Sequence, residues 1–198
     1  MAQRVLVTGP NGFVGLPLCE LLVRAGVEVR AAVRRESPAL KELASQGRLK
    51  QVAVGDFLAD PDWSPALAGA EVVVHLAARV HVMGATDPAD RDRFRRMNVD
   101  ATLRLAEAAA RAGVRRLVFV SSAKAGNATG DAYSESKAEA EHLLDAASKK
   151  LGLECVILRP PLVYGPRVRA NFLRLMRLVD SGIPLPLASV SFPAPSWM

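Results

Sequence analysis

Tyr133 and Lys137 stand four residues apart in the segment Tyr-Ser-Glu-Ser-Lys. On a helix this spacing places both side chains on one face. A phenol is a poor base at neutral pH because its ordinary pKa is about 10. A nearby ammonium lowers that pKa, so Tyr133 could take a proton from a substrate hydroxyl. Taken alone, the short pattern is more typical of an ordinary helix with a surface Tyr and Lys.

Two serines, Ser121 and Ser122, directly follow the apolar run 117–120. At the carboxyl end of a strand in a doubly wound sheet, a hydroxyl points into the binding crevice. One of these hydroxyls is therefore predicted to bond the substrate oxygen that Tyr133 deprotonates. The alternative is that the pair caps the next turn.

A glycine-rich turn at residues 8–15 follows the apolar run 5–7 and leads into a helical pattern that stops at Gly26. Thr8 is placed to hydrogen-bond across this turn. Strand, tight turn and helix N-terminus in this order form a site for a dinucleotide pyrophosphate. Pro17 is compatible with the helix only if the helix begins near Phe13, because proline lacks a backbone donor. The predicted cofactor contacts here are Gly9, Asn11, Gly12, Phe13, Val14 and Gly15.

Further cofactor contacts are expected where the third and fourth apolar runs end. Asp56 and Phe57 could bracket an adenine, and small residues after His75 let a cofactor pass. His75 itself is interpreted as a satisfied core residue, and no histidine has metal-ligand neighbours, so no metal site is predicted. Asn98 interrupts an apolar helix face and either contacts the cofactor or bonds a water or backbone near the catalytic helix. The contacts predicted after the fourth run are Leu76, Ala77 and Ala78.

The choice between NAD and NADP stays open. The second apolar run ends at Arg34 and Arg35, where NAD sites carry Asp or Glu, and the nearest acid is Glu36. Paired arginines suit a 2′-phosphate, so these residues favour NADP.

Six apolar runs are predicted to be strands, and helical patterns lie between most of them. Alternating strands and helices predict an α/β fold with a doubly wound parallel sheet, a Rossmann fold, covered by helices on both faces. The predicted strands are 4–7, 28–33, 50–54, 72–76, 117–120 and 155–158, and the clearest helices are 88–112, 133–151 and 169–180.

Composition excludes several classes of protein. The 198 residues carry a net charge of +6, but the basic residues are scattered and partly interleaved with acids, which argues against nucleic acid. No apolar run approaches the roughly 20 residues of a membrane helix, and the first residues leave no room for a signal peptide. Two scattered cysteines are typical of a reducing compartment. The expected location is the cytoplasm.

Together these motifs resemble the extended short-chain dehydrogenases/reductases, in the NAD-dependent epimerase/dehydratase family (UDP-glucose 4-epimerase-like). The resemblance also uses His-Leu-Ala-Ala at 75–78, Asn-Val-Asp-Ala-Thr at 98–102 and the segment 159–166, and it covers about residues 3–188. It implies a nicotinamide cofactor, NAD in the family, and a nucleotide-sugar substrate. It assigns Tyr133 as base, Lys137 as its pKa-lowering partner and ribose ligand, Ser122 as the aligning hydroxyl and Pro160 as a cofactor contact.

The resemblance further implies a homodimer that pairs helices 88–112 and 133–151. Two features depart from the family. Ser122 and Tyr133 are much closer in sequence than usual, and the segment 189–198 diverges where relatives continue into a last strand and a small substrate domain. The sequence therefore predicts a Rossmann domain over 1–188 and a divergent or truncated tail over 189–198. The alternatives to an epimerase or dehydratase are an NADP-dependent carbonyl reductase and a cofactor-binding fragment without activity.

Overall fold

The computed structural model of this chain describes residues 3–80, 88–127, 131–165 and 170–182. The chain divides into two compact units, Met1–Pro161 and Leu162–Met198. The first unit contains a six-stranded sheet in which every neighbouring pair is parallel. Its strands are β1 Arg4–Thr8, β2 Glu28–Val33, β3 Leu49–Ala53, β4 Val72–His75, β5 Arg116–Val120 and β6 Glu154–Leu158.

Helices connect the strands, so each crossover passes over a face of the sheet. Short 3₁₀ turns at Pro38–Leu40, Phe57–Ala59 and Ala123–Asn127 complete the connections. The helices of the first unit are α1 Gly15–Arg24, α2 Lys41–Ser45, α3 Ser64–Leu67, α4 Pro88–Arg95, α5 Ala101–Arg111 and α6 Ala132–Leu151.

The strand order is β3-β2-β1-β4-β5-β6, which confirms the predicted doubly wound Rossmann sheet. The chain winds outward in one direction from β1 to β3 and in the other from β4 to β6. Parallel strands that diverge in this way open a crevice at their carboxyl ends, between β1 and β4. Thr8 ends β1 and pairs with His75, which ends β4, so both residues lie at this crevice.

Two buried clusters, one on each face of the sheet, stabilise the first unit. Alternation along β1 sends Leu6 into a cluster with α5 and α6, and sends Val5 and Val7 into a cluster with α1 and α2. Leu6 and Val7 are fully buried. The sheet is therefore a rigid base from which the strand ends project.

The helix predicted over 88–112 is confirmed but is not regular. Between α4 and α5, residues Arg96–Asp100 form a π-helical turn, a feature that sequence periodicity did not indicate. Such wide turns occur often at functional sites. The helix predicted over 133–151 starts one residue earlier, where Asp131 accepts a hydrogen bond from the Tyr133 N–H, and stops at Gly152 with φ of 64°. Pro17 is the third residue of α1, where the lost donor has no helical partner.

The second unit contains α7, Ala170–Asp180, close to the predicted helix 169–180. Arg169 and the predicted tail 189–198 lie outside the described residues. Among the helices that the structure describes, none combines the length and apolarity of a membrane span.

Candidate active site

The glycine turn after β1 has the steric properties that its sequence predicts. Gly9 has φ of 67°, and a Cβ there would lie 2.9 Å from the Ala77 nitrogen, so only glycine fits between β1 and the loop after β4. A Cβ at Gly15 would lie 2.1 Å from the Gly9 carbonyl oxygen. Gly15 therefore lets α1 close onto the turn itself, and not only onto the strand.

The N-terminus of α1 is prepared for an anion. Within the described part of the chain no side chain caps it, and its first turn contains no acidic residue. Backbone N–H groups and the positive end of the helix dipole therefore face the crevice. Phe13 and Val14 are both more than a third exposed at this point.

A cavity of about 670 Å³ lies at the carboxyl ends of β1, β2 and β4. Seven residues of the predicted cofactor site line it: Gly9, Asn11, Arg34, Asp56, Phe57, Ala77 and Ala78. A second cavity, of about 650 Å³, lies between α3 and the last turns of α5. We assign the ligand site to the first cavity, because ligands of such sheets bind beyond the carboxyl ends of the strands.

Asp56 and Phe57 lie in the cavity wall as predicted, but both have structural duties. The Asp56 carboxylate accepts the Leu58 N–H at 3.0 Å and so starts the turn Phe57–Ala59. Phe57 is 6% exposed, and its ring packs edge-on against Trp63, with ring centroids 4.9 Å apart. Only a small part of this ring is therefore available to a ligand.

Sequence reasoning missed three cationic residues of the cavity, Arg79, Arg93 and Arg96. Arg79 follows β4, while Arg93 and Arg96 come from α4 and the π-helical turn. The acids interleaved with Arg93 and Arg96 suggested a solvated helix face, and only the fold brings these residues and Arg79 to the cavity that Arg34 lines. The cavity is consequently richer in positive charge than the predicted contacts implied.

Asn98, predicted as a cofactor contact or a structural residue, has the structural role in the described geometry. Its side chain is buried, with 1% of the residue exposed. Its carboxamide accepts the Arg79 N–H at 2.8 Å and donates to the Arg79 carbonyl at 3.0 Å and to the Ser136 hydroxyl at 2.9 Å. Both amide hydrogens are used by the protein, so Asn98 joins the loop after β4 to α6.

Ser122 and Tyr133 meet despite their short separation in sequence. The Ser122 hydroxyl lies near enough to the Tyr133 phenol to favour its ionised form. Ser122 also accepts the Lys124 N–H at 3.2 Å, so it caps the turn Ala123–Asn127 as in the alternative reading. Pro160 contributes here through its carbonyl, which accepts the Ala123 N–H at 2.9 Å. The turn holds Ser122 beside α6 without the longer connection of the family.

Lys137 is 2% exposed, which is rare for a lysine. Its ammonium donates to the Val120 carbonyl at 2.8 Å and lies 4.4 Å from the centre of the Phe119 ring. Burial lowers the Lys137 pKa to about 8, and the Glu141 carboxylate, one turn further along α6, opposes this change. Tyr133, Lys137 and Glu141 thus form one stripe at four-residue spacing.

The expected lowering of the Tyr133 pKa is wrong for the described geometry. Burial is the main cause that raises this pKa above 10, and the Asp131 carboxylate adds to it. The nearby Ser122 hydroxyl acts in the opposite direction, and its effect is smaller. The Lys137 ammonium is directed at Val120 and does not offset the burial of the phenol.

The third member of this stripe, Glu141, is a buried carboxylate that is paired with Arg159. The Glu141 side chain is 7% exposed and accepts two hydrogen bonds from the Arg159 Nε–H, at 3.1 and 3.0 Å. Burial alone would raise the Glu141 pKa, but the hydrogen bonds from Arg159 and the charges of Arg159 and Lys137 lower it overall. Glu141 therefore stays ionised at neutral pH beside Lys137.

Comparisons with known proteins agree with this geometry. The sequence profile of the NAD dependent epimerase/dehydratase family matches residues 5–184. The chain is 39% identical to a UDP-glucose 4-epimerase of Vibrio cholerae, over 96% of this chain and 61% of that protein. It is 32% identical to a 3-beta-hydroxysteroid dehydrogenase of Mycolicibacterium neoaurum, over 90% of this chain and 52% of that protein.

Among solved structures, the chain is similar to a UDP-glucuronic acid 4-epimerase of Bacillus cereus in complex with UDP-glucuronic acid and NAD. The TM-score is 0.77 at 26% identity, over 92% of this chain and 65% of that chain. The chain thus spans between about half and two thirds of the length of these relatives.

Proposed function

Because this chain belongs to the NAD dependent epimerase/dehydratase family, we propose that it binds NAD(H) and interconverts UDP-sugars through a Ser122-Tyr133-Lys137 site. The relatives named above as UDP-sugar 4-epimerases support the substrate class. The observation that carries the proposal is the placement of the Ser122 hydroxyl next to the Tyr133 phenol, on the helix that also carries the buried ammonium of Lys137.

The residues of the crevice fit a dinucleotide. Any side chain larger than hydrogen at Gly9 or Gly15 would fill the space of the turn, and the uncapped N-terminus of α1 provides donors for a pyrophosphate. Asp56 and Phe57 lie where the adenosine end would be held. Lys137 uses one of its three N–H donors on Val120 within the described structure, which leaves donors for the nicotinamide ribose.

In the proposed reaction, Tyr133 takes the proton from a sugar hydroxyl as a phenolate, a form that the positive charge of a bound oxidised nicotinamide would favour against the burial that raises its pKa. A bound nicotinamide supplies the acceptor for the hydride that leaves the same carbon. The Ser122 hydroxyl donates its one hydrogen to the substrate oxygen and so holds that oxygen next to Tyr133. When the hydride returns to the carbon, Tyr133 gives the proton back to the oxygen, so the overall change is at the carbon centre alone.

The proposal is tested with the purified chain, with NADH for the binding measurement and with NAD⁺ and UDP-glucose or UDP-galactose for the conversion. NADH binding is measured by fluorescence, and conversion of one UDP-sugar into the other by chromatography. Tyr133→Phe should keep NADH affinity and lower the conversion rate by about 10²–10⁴, the usual contribution of a positioned acid or base. NADH binding without conversion by the native chain would overturn the catalytic part and indicate a cofactor-binding protein.

A second candidate, net reduction of a carbonyl with NADPH, is favoured by Arg34 and by the relative named as a hydroxysteroid dehydrogenase. Steady NADPH consumption with a carbonyl substrate and without a UDP-sugar would support it. A homodimer also remains a proposal. Light scattering would measure the mass, and pairing through α4 and α6 would involve the surface where Arg91 meets Glu135 and Arg95 meets Glu139.

A further inference from the structure

Five buried polar residues form a continuous hydrogen-bonded chain beneath the crevice. None has a role in the proposed proton transfer, and none is more than 4% exposed. The chain crosses from β1 through β4 to α5, the π-helical turn and α6. Its members are Thr8, His75, Thr102, Asn98 and Ser136.

The direction of the first bonds follows from the Thr8 hydroxyl. Its oxygen accepts the Ala77 N–H and the Leu76 N–H, both at 3.2 Å, and the Leu76 N–H is shared with the Thr8 carbonyl. A hydroxyl oxygen has two lone pairs, so both are occupied. The Thr8 hydrogen must therefore point to the third neighbour, His75 Nδ1, at 2.7 Å.

The His75 ring fixes the direction of the next hydrogen bond along the chain. Because Nδ1 of His75 accepts, the ring hydrogen is on Nε2, which lies 2.9 Å from the Thr102 hydroxyl oxygen. Thr102 in turn donates to the backbone carbonyl of Asn98 at 2.8 Å, in the π-helical turn. All three hydrogen bonds from Thr8 to Asn98 are consistent with a single arrangement of hydrogens.

The second half of the chain reaches the backbone of the proposed base. The Asn98 carboxamide donates to the Ser136 hydroxyl at 2.9 Å, and Ser136 donates to the Tyr133 carbonyl at 2.7 Å. The same carboxamide is paired with both backbone groups of Arg79. The loop after β4 is thereby held by Thr8 at its start and by Asn98 further along.

We infer that His75 is a positioning residue, whose neutral imidazole with hydrogen on Nε2 couples the loop after β4 to the helical turn that carries Tyr133. The inference depends on the proposed function only for the role given to Tyr133. The coupling itself is a property of the folded chain and is measurable without substrate.

The neutral form is required by the neighbours. A protonated ring would direct an N–H from Nδ1 at Thr8, whose lone pairs are already taken by Leu76 and Ala77. His75 also stacks on Phe119, with ring centroids 5.9 Å apart, and the Lys137 ammonium contacts that same ring. Burial first, and the charge of Lys137 second, lower the His75 pKa to about 3.

The first test is nitrogen-15 NMR of the native chain, with long-range correlations between ring protons and ring nitrogens. The chain has three histidines, and the signals lost in His75→Gln identify those of His75. We expect the Nε2–H pattern, unchanged between pH 8 and pH 5. A pattern with hydrogen on Nδ1, or a titration near the ordinary histidine pKa, would overturn the inference.

The second test measures the coupling with a matched pair of variants. His75→Phe keeps an aromatic ring and removes both ring nitrogens, whereas His75→Gln keeps one acceptor and one donor. In His75→Phe, amide hydrogen exchange should be roughly tenfold faster at Leu76 and Ala77 and in the first turns of α6, with the last turn of α6 unchanged. His75→Gln should restore much of the protection.

The same pair separates this inference from the proposed function. NADH affinity should fall roughly tenfold in His75→Phe and less in His75→Gln, since the loop after β4 forms one wall of the cavity. If the native chain fails to bind NADH, the proposed function is wrong while the exchange data still decide the coupling. Equal exchange rates at these amides in His75→Phe and in the native chain would overturn the proposed coupling.

Discussion

The two halves of the crevice are built on different physical principles. Around the turn after β1, the shape is possible only because glycines have no Cβ. A Cβ at Gly15 would lie 2.1 Å from the Gly9 carbonyl oxygen. Around the start of α6, the shape depends on buried polar groups that require distant partners, as Lys137 requires the Val120 carbonyl and Glu141 requires Arg159. One half is steric and local, while the other is electrostatic and assembled from separate elements.

This difference predicts different responses to mutation. A steric site fails when one methyl group is added, because close-packed backbone has little room to move. A polar network responds in a graded manner, because hydrogen bonds and charges can be replaced or screened. The following experiments test this contrast, in order of decreasing effect.

Gly15→Ala should have the largest effect and abolish measurable NADH binding. A displacement of the turn by one ångström is expected to lower the affinity by more than about 100-fold, as such displacements do in active sites. The methyl group would displace the turn from the N-terminus of α1. Fluorescence titration with NADH measures the loss. Gly126→Ala is the matched control, because the nearest atom to its Cβ would be 3.9 Å away. An unaltered affinity in Gly15→Ala would remove the steric half of the comparison.

Acid should destabilise the chain through His75. Its pKa is about 3 in the folded chain and about 6.5 when unfolded, so the unfolded state alone takes up a proton between these values. Stability is therefore present above pH 6.5 and is lost as the pH falls, by up to about 1.4 kcal/mol per pH unit. Urea unfolding at several pH values measures the slope.

His75→Gln is the control for that slope, since glutamine does not titrate. The variant should start from a lower stability at pH 7 and lose less of it down to pH 5. Equal slopes for the two proteins between pH 6.5 and pH 5 would contradict a neutral His75. Below pH 4.5 Glu141 adds its own dependence, because its folded pKa is lowered and its stabilisation is lost on protonation.

The contrast also explains what the sequence predicted well. Gly9, Gly12 and Gly15 act within one turn, and the alternation of apolar residues in β1 reports burial on both faces, so local patterns were sufficient. The helix with Tyr133 and Lys137 was equally accessible, because its start at Asp131 and its end at Gly152 use ordinary capping residues.

The polar half was predicted only in part. Ser136 and Thr102 attracted no functional interpretation, because their value arises from partners on other elements: Ser136 bonds Asn98, 38 residues away, and Thr102 bonds His75, 27 residues away. The π-helical turn at Arg96–Asp100 could not be predicted from a pattern that assumes 3.6 residues per turn. The Tyr133 pKa was expected to fall, and burial raises it instead.

Glu141→Gln should have a moderate effect on the polar half. Removal of the carboxylate leaves Arg159 without this partner and removes the charge that keeps the Lys137 pKa from falling further below its present value of about 8. Carbon-13 NMR of the lysine side chains would measure the lower pKa. Urea unfolding should show a lower midpoint than in Glu154→Gln, the control from the exposed pair with Arg116. Identical midpoints would mean that burial adds nothing to this pair.

Arg34→Ala should have the smallest effect, and it concerns the exposed rim of the steric half. Arg34 lies at the carboxyl end of β2 in the cavity, where a 2′-phosphate would meet it, and no protein contact depends on it in the described structure. We expect NADPH affinity to fall about tenfold, the value of one charge-assisted contact in water, and NADH affinity to stay within about twofold. Lys124→Ala, a charge removed beside Ser122, is the matched control. If both cofactors weaken equally in Arg34→Ala, the residue acts on the shared pyrophosphate, and the choice between NAD and NADP must depend on other groups of the cavity.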